Sequence, residues 1–317
     1  MAETVLAARL TGPDRVLRVE ETKQGSPATE EVVIDMMYAS INPLDTYVLA
    51  GQVASDAPVP RTLGVEGVGR RGDDLFVVHG HGVGLSRDGT WSQKAVVPSG
   101  SLVRVPEGVD PAQAACAAVC GRTAIRVVYE LAGVTPEDRV LVLGATGGVG
   151  TAATSLALSS GATVWGQTGD PNKAEAVAEI GAETVIARSP EELIRAVMGL
   201  GVTVVLDPLG GSYTAAATQL LAPYGTLVIY GASSSAQTEL DVRSFYRRNI
   251  RALGYGGVME GHDEVRSGIG DALRALVEGN MRIPVRDRVS LSALPAVLEP
   301  ERRRSAIGKT IVDVSLT

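Results

Sequence analysis

The sequence predicts an α/β protein in which a doubly wound parallel sheet is inserted into a β-rich domain. Two observations support this fold class. Short aliphatic runs alternate with helix-like segments over residues 139–230, and β-like segments flank this alternation on both sides. Strands that alternate with helices favour parallel pairing with right-handed crossovers. We therefore expect one α/β domain between two segments that fold together as a second domain.

The first part of the chain, up to about residue 110, is β-rich. Runs such as Glu31–Met36 and Asp74–Val78 are aliphatic and are separated by Gly, Pro and Asp clusters, which is typical of strands. The Ala-rich run Pro111–Glu130 then predicts a helix. Near the end of the chain, we expect a helix at Glu264–Glu278 and a last strand at Lys309–Val314.

The central segment alternates predicted strands and helices. The strands are expected at Arg139–Leu143, Ala162–Gly166, Thr184–Ala187, Val202–Leu206 and Thr226–Tyr230. The helices are expected at Thr151–Ser159, Asn172–Ile180, Pro190–Met198 and Tyr213–Leu221. These elements place the α/β domain at residues 119–257 and the β-rich domain at residues 1–118 and 258–317.

Composition and charge argue against several classes of protein. The 317 residues carry a net charge of −7, which argues against nucleic acid as a partner. The chain has no apolar run of about 18 residues that would suggest a membrane span, and its amino terminus lacks a signal-peptide pattern. The two cysteines, Cys116 and Cys120, favour helix packing over a disulfide framework. We expect a cytoplasmic protein that acts on a small molecule.

The most specific motif is a glycine-rich turn over residues 144–150, directly between a predicted strand and a predicted helix. Gly147 lets the main chain approach a pyrophosphate, and Gly150 lets the helix pack closely against the strand. The free amides and the positive dipole end of the helix then face the phosphates. Ala145 holds the first glycine position of the general G-x-G-x-x-G pattern, which is a departure from it. In this strand–turn–helix context the motif predicts a Rossmann dinucleotide site, with a mere tight turn as the alternative.

The end of the second central strand indicates which dinucleotide binds. NAD sites usually place Asp or Glu there, about 20 residues after the turn, whereas this strand runs into Gln167 and Thr168 without a carboxylate. A 2′-phosphate needs cationic and hydroxyl donors, which Thr168, Lys173 and Arg188 could supply. The alternative is that Lys173 is only an exposed residue in the first turn of a helix. The sequence therefore favours NADPH.

Several segments occur in the order and spacing of one enzyme family. They are Ile41–Gly51, Leu63–Gly69, Cys120–Ala124, Val140–Val185, Leu206–Gly211, Gly225–Gly231 and Gly308-Lys309. On these segments, which span nearly the whole length, the chain resembles the medium-chain dehydrogenase/reductase superfamily, specifically its zinc-independent quinone oxidoreductase-like branch. The resemblance implies a Rossmann domain inserted in a GroES-like catalytic domain, and a homodimer.

The resemblance also implies site residues. Asn42 and Tyr47 would lie beside the nicotinamide and the acceptor, where Tyr47 would hydrogen-bond the substrate oxygen or protonate a carbanion; simple packing of Tyr47 is the alternative. The residues expected to bind the cofactor are Thr123, Thr146, Gly147, Gly148, Val149, Thr168, Lys173, Arg188, Gly231 and Ala232.

We expect no metal. Zinc alcohol dehydrogenases of this superfamily carry Gly-His-Glu where this chain has Val65 between Gly and Glu, and a catalytic zinc needs three protein ligands. His79 and His81 could reach one side of the Gly-rich stretch, but a third ligand is not evident from the sequence. The family's segment between Gly69 and Trp91 is shortened here, so the family's substrates are the least transferable part of the resemblance.

The expected activity is NADPH-dependent reduction of a quinone or an α,β-unsaturated carbonyl compound by metal-free hydride transfer. An enoyl-thioester reductase of fatty-acid or polyketide metabolism is the enzymatic alternative, with Tyr47 as proton donor. The family's enoyl reductases often have a tyrosine just after the position of Gly51, where this chain has Gln52. A third hypothesis is an NADPH-binding sensor or structural protein without turnover, which would need no proton donor.

Overall fold

The computed structural model describes residues 3–12, 14–299 and 307–316, which form two compact units. The β-rich unit comprises Met1–Val119, Gly261–Val277 and Pro284–Thr317, and the Rossmann unit comprises Cys120–Glu260 and Glu278–Ile283. The expected division at 118/119 and 257/258 differs from this one mainly in residues 278–283. Within this segment, the backbone N–H of Arg282 donates to Ser155 Oγ of the Rossmann unit at 3.0 Å.

The Rossmann unit is built on a sheet of six parallel strands, which confirms the predicted fold class. The strands are β9 (Arg139–Val142), β10 (Thr163–Thr168), β11 (Glu183–Ile186), β12 (Val202–Asp207), β13 (Leu221–Ile229) and β14 (Arg251–Gly254). Their order is β11-β10-β9-β12-β13-β14, which is the doubly wound order of dinucleotide-binding domains.

Helices cover this sheet. They are α3 (Arg122–Ile125), α4 (Gly148–Ser159), α5 (Ala174–Ala178), α6 (Pro190–Val197), α7 (Gly211–Leu220) and α8 (Val242–Arg247). Leu141, Leu206 and Leu227 are fully buried in the strands. Strands covered on both faces bury nearly every side chain, so they have aliphatic sequences without alternation.

The β-rich unit contains two sheets. Its strands are β1 (Thr4–Thr11), β2 (Val16–Lys23), β3 (Glu31–Ser40), β4 (Arg61–Thr62), β5 (Glu66–Arg71), β6 (Asp74–His79), β7 (Lys94–Pro98), β8 (Leu102–Arg104), β15 (Val285–Val289) and β16 (Lys309–Asp313). One sheet has the order β2-β1-β4, and the other has the order β15-β16-β3-β5-β6-β8, with β7 also pairing with β3. Trp91 is the largest fully buried side chain of its core.

The helices of the β-rich unit are α1 (Pro43–Leu49), α2 (Pro111–Ala114), α9 (His262–Val277) and α10 (Leu294–Val297). Among the described residues, no helix has both the length and the apolar character needed to cross a membrane.

Two differences from the sequence prediction concern the Rossmann unit and the segment before it. The run Pro111–Glu130 is helical as predicted but is not one regular α-helix, because a turn at residues 115–116 follows the first helical turn and π-helical turns at Ala117–Gly121 and Arg126–Ala132 make up most of the rest. Strand β14 was not predicted, since its residues are mostly exposed and lack the aliphatic run that marks the buried strands. An edge strand can expose one side of its backbone, and its sequence is therefore less constrained.

Candidate cofactor and catalytic sites

The glycine turn lies between β9 and α4, as its sequence predicts. Gly144 has φ +59°, a left-handed conformation that favours glycine. A Cβ on Gly150 would lie 2.3 Å from the carbonyl oxygen of Gly144, so only glycine lets α4 start this close to the strand. A Cβ on Gly147 would meet the same oxygen at 3.4 Å, which is ordinary contact. Gly147 is thus not required by packing, and its lack of a side chain leaves the main chain open to a ligand.

No side-chain cap is present at the amino terminus of α4 among the residues that the structure describes. Gly147 is its N-cap residue and provides no side-chain hydrogen bond, and the first turn contains no acidic residue. The first amides of a helix have no intrahelical partner, and the helix dipole makes this end positive. The turn therefore fits the diphosphate of a dinucleotide.

The expected diphosphate-binding residues are contiguous here. Gly148 and Val149 open α4, and Thr146 precedes the N-cap residue with only 6% of its surface exposed. Their backbone amides lie at the end of the helix to which an anion is attracted.

The end of β10 carries the side chains expected to select the cofactor. The Gln167 side chain accepts from the Gly144 N–H at 2.9 Å and donates to the Ala187 carbonyl at 2.7 Å. Thr168 is buried, and its Oγ1 accepts from the Asp170 N–H at 3.3 Å. Asp170 in turn caps the following turn through the Asn172 N–H at 3.0 Å. Both polar groups of Gln167 are thus used within the protein.

Lys173 and Arg188 provide positive charge near this edge of the sheet. Lys173 ends the 3₁₀ turn Pro171–Lys173 that follows β10. Partial burial lowers its pKa, and the nearby Asp170 raises it. Arg188 follows β11 and is exposed, while its backbone N–H donates to Glu192 at 2.7 Å. A phosphate beside Lys173 would favour its charged form.

Asp207, at the end of β12, organises the next two loops of this edge. It is fully buried and accepts from the N–H groups of Leu209 and Gly210 at 2.7 and 3.1 Å, and from Thr214 Oγ1 at 2.5 Å. No role for this aspartate was predicted from the sequence. An acid directly after a buried strand and before two glycines was the signal that would have identified it.

The loop after β13 contains the other predicted cofactor residues. A Cβ on Gly231 would lie 2.7 Å from the Pro208 carbonyl oxygen, so this position requires glycine. Ala232 is exposed, and Thr123 is half-buried in α3. The buried hydroxyl of Tyr230 has no hydrogen-bond partner among the residues that the structure describes. Its burial raises the pKa of Tyr230.

The β-rich unit contains a buried polar network around Asn42, the residue before α1. Lys309 Nζ donates to Asn42 Oδ1 at 2.7 Å and to the Ile41 carbonyl at 2.6 Å. Asn42 Nδ2 donates to Glu66 Oε1 at 2.9 Å, and Glu66 Oε2 accepts from the Val119 N–H at 2.8 Å. The Asn42 amide therefore links a buried ammonium to a buried carboxylate, an arrangement in which both charges are hydrogen-bonded.

Asp45 fixes the start of α1 in the same network. Its carboxyl accepts from the N–H of Asn42 at 2.8 Å and of Val65 at 3.0 Å. Burial raises the pKa of Asp45 to about 7, although both backbone hydrogen bonds and the charge of Lys309 lower it. Asp45 therefore titrates near neutral pH, and it anchors the helix that carries Tyr47.

The structure places the two predicted catalytic residues in different environments. Tyr47 lies on α1 with 42% of its surface exposed, whereas Asn42 is 3% exposed. The Asn42 side chain already bonds Lys309 and Glu66, which favours a role in positioning α1. Neither Lys309 nor Glu66 was singled out from the sequence as part of this network, because their separation of 243 residues hides their proximity.

Potential metal ligands do not converge in the described part of the chain, where no group of three or more His, Cys, Asp and Glu side chains could hold a metal ion. The carbonyl of Val65, the residue that the sequence resemblance sets against the zinc family's histidine, lies 2.7 Å from His79 Nδ1. Cys116 and Cys120 are buried, and burial raises the pKa of the Cys116 thiol to about 12. Such a thiol stays protonated and unreactive at neutral pH.

Comparison with known proteins agrees with this architecture. Residues 148–271 match the zinc-binding dehydrogenase family. The chain is 27% identical to the putative quinone oxidoreductase YhfP of Bacillus subtilis over 97% of both chains. The crystal structure of YhfP with NAD bound superposes with a TM-score of 0.80, covering 99% of this chain and all of that one at 24% identity.

Two further relatives are an enoyl reductase and a much longer polyketide synthase, one segment of which is similar to this chain. The mitochondrial enoyl-[acyl-carrier-protein] reductase of Xenopus tropicalis is 30% identical over 77% of this chain and 73% of its own length. A mycocerosic acid synthase-like polyketide synthase of Mycobacterium tuberculosis is 29% identical over 98% of this chain, which spans only 15% of that synthase. With the parallel sheet and its glycine turn, these similarities identify the chain as an oxidoreductase of the medium-chain dehydrogenase/reductase superfamily, in the quinone oxidoreductase-like branch.

Proposed function

We propose that this protein reduces a quinone or an α,β-unsaturated carbonyl compound with NADPH, without a metal. The observation that carries the proposal is the start of α4, where free amides, an N-cap glycine and no acidic side chain form an anion site. When bound, the dinucleotide supplies a hydride from its nicotinamide ring. The protein supplies orientation, exclusion of water and hydrogen bonds to the acceptor.

The preference for NADPH rests on the end of β10. Gln167 and Thr168 stand where a carboxylate would bind the ribose of NAD, and Lys173 and Arg188 add positive charge nearby. We propose that Thr168, Lys173 and Arg188 bind the 2′-phosphate. Titration of the pure protein with NADPH and with NADH tests this, and a lower Kd for NADH would contradict it.

The absence of a metal step rests on ligand chemistry. Val65 cannot replace a histidine ligand, because its side chain has no lone pair. We propose that charge on the acceptor oxygen is stabilised by hydrogen bonds, with Tyr47 as the donor. Retention of full activity after dialysis against a chelator would support this, whereas loss and recovery with zinc would contradict it.

Tyr47 is proposed as the group that donates a hydrogen bond or a proton to the acceptor. It is exposed, and α1 is held in place by Asp45 and Asn42. Tyr47→Phe should lower kcat by about 10²–10⁴-fold and leave the Kd of NADPH unchanged. An unchanged kcat would show that Tyr47 only packs.

An enoyl-thioester reductase is the second candidate, and the similarity to the Xenopus tropicalis enoyl reductase favours it. Parallel assays with a quinone series and with a crotonyl thioester separate the two substrates. A protein that binds NADPH but reduces neither would instead support a sensor or structural role. We further propose a cytoplasmic homodimer, on family resemblance, which light scattering of the purified protein tests.

A further inference from the structure

A small pocket lies in the β-rich unit, apart from the residues proposed above for cofactor and acceptor. All three histidines of the chain line it: His79 at the end of β6, His81 in the following turn, and His262 at the start of α9. Arg266, one turn further along α9, also lines it. The pocket opens to solvent, and its inner volume of about 10 Å³ has room for about one water molecule. A larger polyatomic group would therefore lie at its mouth.

The backbone holds His81 in place. His81 has φ +51°, a left-handed conformation that is uncommon for a side-chain-bearing residue, and it lies between Gly80 and Gly82 with φ +86° and +84°. A Cβ on Gly100 would lie 2.8 Å from His81 Nε2. The 3₁₀ turn Ser99–Ser101 thus needs a glycine where it meets the imidazole. A hydrogen bond between His81 and the Gly100 backbone raises the pKa of His81, against the larger opposing effect of burial.

His81 and His262 stack face to face. Their ring centroids are 3.8 Å apart, and the ring planes differ by 10°. Two imidazolium rings at this distance would repel each other strongly unless an anion lay beside them. The stack is therefore a pair whose protonation requires a counter-charge.

The charged groups around the pair are mainly positive. Arg266 faces His81 from α9, and Arg87 faces it from the segment before Trp91. Arg87 forms an ion pair with Glu31 at 2.8 Å, so its charge is partly compensated.

The acidic residues that directly follow His262 in the sequence do not line the pocket. They are Asp263 and Glu264, in the first turn of α9, and Glu264 accepts from the Gly261 N–H at 2.8 Å. Burial, His262, Arg87 and Arg266 all lower the pKa of His81, in that order. Among the residues that line the pocket, none is acidic, so no carboxylate there offsets these effects.

We propose that the open mouth of this pocket binds a small oxyanion, such as sulfate, phosphate or the phosphate group of a small metabolite, beside His81, His262 and Arg266. The guanidinium groups oppose a metal cation and favour an anion. The three donors lie on two elements that already meet at the histidine stack, so an anion would tie the turn after β6 to the start of α9. This site does not depend on the proposed reductase activity.

Binding should be coupled to protonation of the imidazoles. An anion favours the charged imidazole, so protons are taken up on binding and affinity rises as the pH falls. Each proton taken up can strengthen binding by at most about tenfold per pH unit. Sulfate is a suitable probe because its own charge does not change between about pH 6 and about pH 8.

Imidazole NMR provides a direct readout, because every histidine signal of the chain comes from this pocket. Sulfate, compared with chloride at equal ionic strength, should shift the signals of His81 and His262 and raise their midpoints of titration. The Kd for sulfate should fall at least several-fold from about pH 8 to about pH 6. His262→Gln and Arg266→Gln should each weaken binding about tenfold or more. The control Arg70→Gln, on an exposed residue of β5, should have no effect.

Three results would overturn the proposal. The first is that sulfate and chloride give the same histidine spectra. The second is that sulfate binding persists unchanged in both His262→Gln and Arg266→Gln, which would place the ion elsewhere. The third is that Zn²⁺ binds with loss of the histidine signals while sulfate has no effect, which would make the cluster a metal site. Two separate variants keep the test valid if one of them fails to fold.

Discussion

The backbone N–H groups at the starts of helices α4 and α1 differ in whether the protein's own side chains provide their hydrogen-bond acceptors. At α1 the Asp45 carboxyl accepts from the backbone N–H of Asn42, and Pro43 at the first position has no N–H to satisfy. At α4 the N-cap residue is Gly147, which provides no side-chain acceptor, and no acid lies in the first turn. One helix end is closed by the protein, and the other is open to an external anion.

This difference indicates how a sequence marks a ligand site. Side-chain caps stabilise helices by about 0.5–2 kcal/mol, so an uncapped end gives up stability unless a ligand provides the missing acceptors. Variants of both helix ends and of the neighbouring Lys173 test this difference, beginning with the largest expected effect.

Gly150→Val should abolish measurable NADPH binding and destabilise the protein by about 3 kcal/mol or more. Its Cβ would lie 2.3 Å from the Gly144 carbonyl oxygen, and a backbone atom cannot move aside cheaply. Calorimetric binding and chemical denaturation measure the two effects. The control is Gly270→Ala in α9, where a Cβ has no neighbour within 4 Å. Equal effects of the two variants would contradict the prediction.

The closed end should make stability depend on pH. The Asp45 pKa rises from 3.8 to about 7 in the folded protein, so the folded state holds a proton that the unfolded chain loses earlier. The stabilisation that protonated Asp45 provides is complete below about pH 4 and is lost as the pH rises to about 7. The free energy of unfolding changes by about 2–4 kcal/mol over this range. Denaturation series at several pH values measure it.

Asp45→Asn should flatten this pH dependence, because the amide does not titrate. Asp14→Asn, a change of an exposed aspartate, should leave the dependence as it is. The free energy of unfolding of the Asp45→Asn variant can be subtracted from that of the wild type at each pH. A difference that stays constant between about pH 4 and about pH 7 would show that Asp45 does not titrate in this range.

Gly147→Asp should close the open end. The backbone of Gly147, at φ −79° and ψ 168°, suits an N-cap aspartate. NADPH should bind about a hundredfold more weakly, because the carboxylate occupies the phosphate site and repels the phosphate. The free energy of unfolding should rise by about 0.5 kcal/mol. Gly147→Asn separates capping from charge. Undiminished NADPH affinity in the aspartate variant would mean that the diphosphate binds elsewhere.

Lys173→Gln should have the smallest effect and should act on one cofactor only. The Kd of NADPH should rise about tenfold through loss of one charge-assisted contact, and that of NADH should change less than about twofold. Lys23→Gln, an exposed lysine on β2, is the control for net charge. A similar loss for both cofactors would indicate that Lys173 supports the loop and not the 2′-phosphate.

The Rossmann unit was largely predictable, because its buried parallel strands and its glycine turn depend on local sequence. The aliphatic run at Val202–Asp207 and the turn before α4 both match their predicted positions. The buried network of Asn42, Glu66 and Lys309 was not predictable, since it joins residues brought together only by the fold of the β-rich unit. His262 likewise meets His81 across 181 positions of sequence, and no local pattern signals such a contact.

The Gln167 bridge has a consequence for redesign of the cofactor preference. One side chain connects the glycine turn to the residue after β11, accepting from Gly144 and donating to Ala187. Glutamate at this position would still accept from the Gly144 N–H, but its second oxygen would face the carbonyl oxygen of Ala187 and repel it. The connection between the glycine turn and the residue after β11 would then be lost. A carboxylate intended for the ribose hydroxyls of NADH therefore belongs one position later, at Thr168, where the bridge stays intact.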